Sequence, residues 1–101
     1  MPQSTLFHIT RAEAWQSAVA CGEYSTADLP STGFIHLCSA EQTAFVLDKF
    51  FPIRDGLVMI HINAQRLRAE VRYEEAEPGM EFPHLYGPLN LDAVLRVEEL
   101  L

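Results

Sequence analysis

Gly56-Leu57-Val58-Met59-Ile60-His61-Ile62-Asn63 is the stretch on which the fold turns. Val58, Ile60 and Ile62 alternate with Leu57, Met59 and His61, so both faces of an extended segment are largely apolar. A strand covered on both faces has this pattern, which places it centrally and requires the rest of the chain to supply neighbours and cover. Leu6 to Ile9 and Phe34 to Leu37 read as strands upstream, and Val71 to Tyr73 and Ala93 to Val97 as strands downstream.

Helices are expected between them. Thr10 with Glu13 has the spacing of a capping box ahead of a helix that shows Trp15, Ala18 and Val19 on one face and ends at Gly22. Ser39 with Gln42 repeats that spacing ahead of a second helix, in which Thr43, Val46, Leu47, Phe50 and Phe51 recur at intervals of three and four before Pro52. Val46, Leu47, Phe50, Phe51, Val58 and Ile60 are the expected main core. Residues 23–32 are expected to form a surface loop, and Asn63 to Leu67 a single helical turn. Phe82 to Pro88 reads as a loop folded over a cleft, because Pro83, Gly87 and Pro88 exclude a regular helix while His84, Leu85 and Tyr86 are unusual in a solvated loop.

The 101 residues fit one domain, 49% apolar and 21% charged, which is a globular composition. Seven basic against fourteen acidic residues give a net charge of −7, which disfavours phosphate backbones and anionic membranes as partners. No apolar run reaches the roughly 20 residues of a membrane span, and the amino-terminal residues lack the pattern of a signal peptide. A cytoplasmic protein is expected. Cys21 and Cys38 form no Cys-x-x-Cys pair, and the histidines lack the close spacing of zinc ligands, so no metal is expected.

His8 closes the first strand, His36 lies in the second and His84 in the Phe82–Pro88 segment, positions at which sites are built. Imidazoles brought together there suit the binding of hydroxyls and phosphates or the transfer of protons near neutral pH. Thr10 and Ser39 open helices whose free amides favour anions. A cleft lined by His8, His36, Ser39, His84 and Tyr86 is therefore the expected working surface. The glycines match neither the P-loop nor the dinucleotide fingerprint, and Ser39 lacks the Gly-x-Ser-x-Gly setting of a hydrolase nucleophile. The acidic stretch Glu74, Glu75, Glu77 and Glu81 could bring a carboxylate to the cleft, where it would stabilise positive charge on a sugar.

Phe7-His8-Ile9-Thr10, Gly33-Phe34-Ile35-His36 and Phe82-Pro83-His84-Leu85-Tyr86-Gly87-Pro88 resemble the signature segments of the domain of unknown function 952 family. The likeness runs over nearly the whole chain. More distantly, His8 to Thr10, the helix to Gly22 and Ile35-His36-Leu37 are similar to RNA 2′-phosphotransferases, and through them to ADP-ribosyltransferases. Ile9 stands where those phosphotransferases have glycine, and no arginine lies between Arg11 and Arg54, so removal of an RNA phosphate is not expected.

This resemblance implies a single α+β domain with a split, mainly antiparallel sheet, two helices and a cleft for NAD or ADP-ribose, a small-molecule nucleotide. It implies that His8 and Thr10 touch the ribose or nicotinamide, that His36 and Ser39 contact ribose or diphosphate, and that Tyr86 stacks. Glu74, Glu75 and His84 compete for the role of acid, base or charge stabiliser, with His84 and Glu75 the expected catalytic pair. A non-catalytic nucleotide- or protein-binding module using the same cleft is the alternative.

Overall fold

A computed structural model of the chain describes residues 5–26 and 29–100. Strand β1 (Thr5–Arg11) runs into helix α1 (Ala12–Cys21), followed by the short strand β2 (Glu23–Tyr24), the one-turn helix α2 (Leu29–Thr32) and strand β3 (Ile35–His36). A 3₁₀ turn at Ala40–Gln42 leads into α3 (Thr43–Phe50), and then come β4 (Leu57–Asn63), β5 (Glu70–Glu77), β6 (Met80–Tyr86), β7 (Leu89–Asn90) and β8 (Val94–Glu99).

The central strand is β4, as its two apolar faces require: it pairs antiparallel with β1 on one side (His8 opposite Ile60) and with β8 on the other (Ile60 opposite Val97). A second antiparallel sheet has the order β3-β6-β5, and β2 pairs with β7. The two larger sheets meet at one bridge, where Phe7 and Cys38 exchange both backbone hydrogen bonds at 2.8 Å. The result is a compact α+β domain with a Cα radius of gyration of 12.7 Å, that of a packed chain of this length.

Strand β4 separates two apolar clusters. Val58, Ile60 and Ile62 join Leu6, Ile35, Leu85 and Leu89 in the main core between the sheets. On the other face Leu57 and Met59 pack with Ile9 in a smaller cluster covered by Val46, Leu47 and Phe51. The expected single core of α3 and β4 residues is thus two. Phe50 belongs to neither, being 54% exposed at the end of the eight-residue α3, with the Lys49 ammonium 5.6 Å from its ring centroid.

Three further expectations are corrected. Thr10 does not cap α1: β1 continues through Arg11, Ala12 N donates to Gly56 O at 2.8 Å, and the N-cap position falls to Arg11, which makes no side-chain capping bond. In α1, Ala18 is buried, Trp15 half-buried and Val19 exposed, so the apolar face is narrower than expected. Phe82–Pro88 is mostly strand rather than a loop. Pro83 is tolerated in β6 because its carbonyl accepts from Leu37 N (3.0 Å), so its missing N–H faces the side on which β3 has already ended at His36.

The expected loop at residues 23–32 contains β2 and α2, while Ala27 and Asp28 lie outside the described residues. The Ser39–Gln42 capping box is present, with Ser39 N donating to Gln42 Oε1 at 3.0 Å, and Gly22 ends α1 in the left-handed region at φ 102°. The expected turn after Asn63 is a 3₁₀ turn at Ala64–Arg66. No described helix is long and apolar enough to cross a membrane.

Candidate functional site

Side chains alternate along β6, so Leu85 enters the main core while Phe82, His84 and Tyr86 share the opposite face of the second sheet. The pairing adds residues to that face from both neighbours, with His36 opposite His84 on β3, and Arg72 opposite His84 and Glu74 opposite Phe82 on β5. Phe34, just before β3, lies flat on the His84 ring with centroids 4.1 Å apart and planes within 11°. His36 meets His84 edge-on at 5.2 Å, and the Arg72 guanidinium stands 4.4 Å from the centre of the Tyr86 ring. Gly87 follows at φ 152°, and a Cβ there would come within 2.8 Å of Ala69 Cβ, so the close approach that ends this face needs glycine.

The Glu74 carboxylate organises the cluster. Its Oε1 accepts from the Tyr86 hydroxyl at 2.6 Å and from His84 Nδ1 at 2.7 Å. These two bonds, Tyr86's first, hold the Glu74 carboxyl below the usual carboxylate range, and in return Glu74 keeps the Tyr86 hydroxyl protonated beyond its usual range. A carboxylate only accepts, so a proton sits on His84 Nδ1, and whenever the ring carries that proton alone, Nε2 presents a lone pair. His84 is 4% exposed, and Nε2 has no hydrogen-bond partner among the described residues. A buried imidazole oriented by a carboxylate, with its second nitrogen unpartnered among the described residues, is arranged as a general base once a ligand or water reaches that nitrogen.

His8 lies on the first sheet, 7% exposed, and is tied to the second sheet through the backbone. Its Nδ1 donates to the carbonyl of His36 at 2.6 Å, and its Nε2 lies 2.8 Å from the Tyr24 hydroxyl, which in turn lies 2.9 Å from Thr10 Oγ1. Thr10, Arg11, Tyr24 and Thr26 line an open pocket beside the chain.

The expected site residues therefore fall in two adjoining groups. His36, His84 and Tyr86 come together on the second sheet, and His8 with Thr10 forms a relay joined to them at the His36 carbonyl. Ser39 is buried at the start of its 3₁₀ turn, bonded to Gln42 and outside the His84 cluster. Glu75 is also outside it, because its carboxylate accepts from Gly79 N (2.8 Å) in the β5–β6 turn; Glu74 meets His84 instead. Phe34, Arg72 and Tyr24 were not among the expected site residues. For Arg72 and Glu74 the period of two along β5 was the available signal, while Tyr24 was marked only as a large aromatic in a polar segment. Among the described residues no group of three His, Cys, Asp or Glu side chains is arranged to hold a metal ion.

A cavity of about 390 Å³ opens beneath α3 and adjoins the polar face, since His36 and Phe82 border both and His8 also lines it.

No curated protein matches the chain. Among solved structures, the crystal structure of CC0527 from Caulobacter crescentus is 31% identical over 94% of this chain and 84% of its own, with a TM-score of 0.85. The solution NMR structure of CC0527 is 33% identical over 95% of this chain and 84% of its own, with a TM-score of 0.79. The sequence model of the family described as Protein of unknown function (DUF952) matches residues 9–97, and with that coverage the chain belongs to the DUF952 family.

Proposed function

We propose that this domain is ADP-ribosyltransferase-like in function, binding NAD or ADP-ribose on the polar face of the second sheet and acting at the nicotinamide ribosyl bond. The observation that carries this reading is the Glu74–His84 couple, a buried imidazole whose Nδ1 is held by a carboxylate and whose Nε2 has no partner among the described residues. Tyr86 and Phe34 supply aromatic faces for a base or nicotinamide ring, and Arg72, at the rim, supplies a cation for a phosphate once it leaves Glu70.

In the simplest reaction, hydrolysis, the bond between the ribose anomeric carbon and the nicotinamide nitrogen breaks with its electron pair going to that nitrogen. Water forms the new bond to carbon and gives its proton to His84 Nε2. Glu74 then stabilises the imidazolium and, with its negative charge, the developing positive charge on the sugar. Glu74 takes the carboxylate role expected of Glu75. His8 acts here as a positioning residue, holding the His36 carbonyl and Tyr24, and His36 reaches the ligand at the edge of the site.

Calorimetry with NAD and with ADP-ribose tests the reading. Saturable heat that is lost in His84→Ala, with the fold retained by circular dichroism, supports it. Nicotinamide release from NAD separates an enzyme from a binding module, and the absence of heat with either nucleotide contradicts the proposal.

A further inference from the structure

The cavity beneath α3 shares His8 and His36 with the nucleotide reading, but most of its walls have a different chemistry. Phe7, Phe50, Phe51 and Phe82 contribute four phenyl rings, and Val46 and Cys38 close it further. Burial pushes the Cys38 thiol up to about 12, so it adds a neutral wall. A volume of about 390 Å³ lies within the range of small-molecule sites and equals the liquid volume of roughly a dozen waters.

A carboxylate stands at the edge of this apolar space for an identifiable reason. Strand β5 carries a bulge between Glu75 and Glu77, which leaves Ala76 with no partner on β6, and Ala76 and Glu77 both line the cavity instead of alternating across the sheet. The Glu77 side chain is 19% exposed and pairs with Lys49 at 2.5 Å. Lys49 cancels its charge but takes only one of the about four acceptor positions of a carboxylate. The cavity therefore offers mainly aromatic and aliphatic walls, with His8 and His36 on one side and, on the other, a carboxylate acceptor whose charge Lys49 offsets.

We propose that this cavity binds a small neutral aromatic compound carrying an N–H or O–H donor, a ring of the indole or phenol kind, with the ring among the phenylalanines and the donor on Glu77. This proposal stands independently of the nucleotide reading.

The test is an NMR titration of the full chain with indole, without nucleotide. Saturable shifts at Phe7, Ile9, Cys38, Val46 and Phe82 are expected. Val46→Trp, which fills the space, and Ala76→Phe, at an exposed bulge position that tolerates a larger side chain, should each weaken binding about tenfold or more. Indene, of the same ring size but without the N–H, should bind more weakly than indole, and Glu77→Ala should remove that difference. Should Val46→Trp not fold, Ala76→Phe decides. Absence of saturable shifts, shifts that map elsewhere, unchanged affinity in Ala76→Phe, or an indole preference that survives Glu77→Ala would each overturn the proposal. None of these results depends on whether NAD or ADP-ribose binds.

Discussion

The two faces of β6 show how one strand serves both stability and chemistry. Leu85, fully buried, joins Ile35 and Ile60 in the main core, whereas His84 and Tyr86, its neighbours in sequence, converge on a carboxylate. His84 is nearly as buried as Leu85, so burial alone does not distinguish the faces. What separates them is polar chemistry: Leu85 brings no polar side-chain atom to its face, while on the other face His84 keeps one buried nitrogen without a partner among the described residues. Such an atom ordinarily costs stability, which is why the proposed function rests on it.

The comparison makes graded predictions. Leu85→Ala should give the largest loss of stability, about 2–5 kcal/mol, as a cavity in the packed core, and denaturant unfolding should detect it; a loss under about 1 kcal/mol would mean that the core face is assigned wrongly. His8→Ala should come next at about 1–3 kcal/mol, because it takes one hydrogen-bond partner from the His36 carbonyl and one from the Tyr24 hydroxyl in partly buried surroundings. Stability and nucleotide binding should fall together there, whereas at His84 binding should fall first. Phe50→Ala should cost about 1 kcal/mol or less, against roughly 3–5 for a buried phenylalanine. A larger loss would move Phe50 into the core.

Glu74 supplies a prediction about pH. Its folded carboxyl is held below the usual range, so the unfolded carboxyl takes up its proton first as the solution is acidified. The stabilisation is complete above the ordinary carboxylate range and is lost as pH falls through the folded value. Glu74→Gln should therefore be less stable at neutral pH, with a flatter decline of the thermal midpoint into acid. Wild type and variant declining in parallel would show that the Tyr86 and His84 bonds do not hold in solution.

Much of this was legible in the chain because alternation is a strong local signal. The two apolar faces of Leu57 to Ile62 mark β4, and the Ser39–Gln42 spacing marks the capped turn ahead of α3. Other features depend on partners distant in sequence. Pro83, Gly87 and Pro88 exclude a helix and so suggest a loop, and only the early end of β3 makes a proline acceptable in the strand that forms there. The choice between Glu74 and Glu75 depends on the register of the β5–β6 hairpin, since a slip of one residue exchanges the faces. Thr10 has a helix-capping spacing, but β1 extends past it and its hydroxyl meets Tyr24 instead. Phe50 keeps the helical period of a core residue, yet α3 ends there, where the packing of the second cluster has passed to Phe51.

The central claim concerns one nitrogen, and ¹⁵N spectra of the histidine rings measure it directly. In the ligand-free protein His84 Nδ1 should carry a proton held by Glu74, and on addition of ADP-ribose the Nε2 resonance should shift saturably. An Nδ1 without a proton in the free protein, or a His84 ring indifferent to ADP-ribose at saturating concentration, would contradict the account.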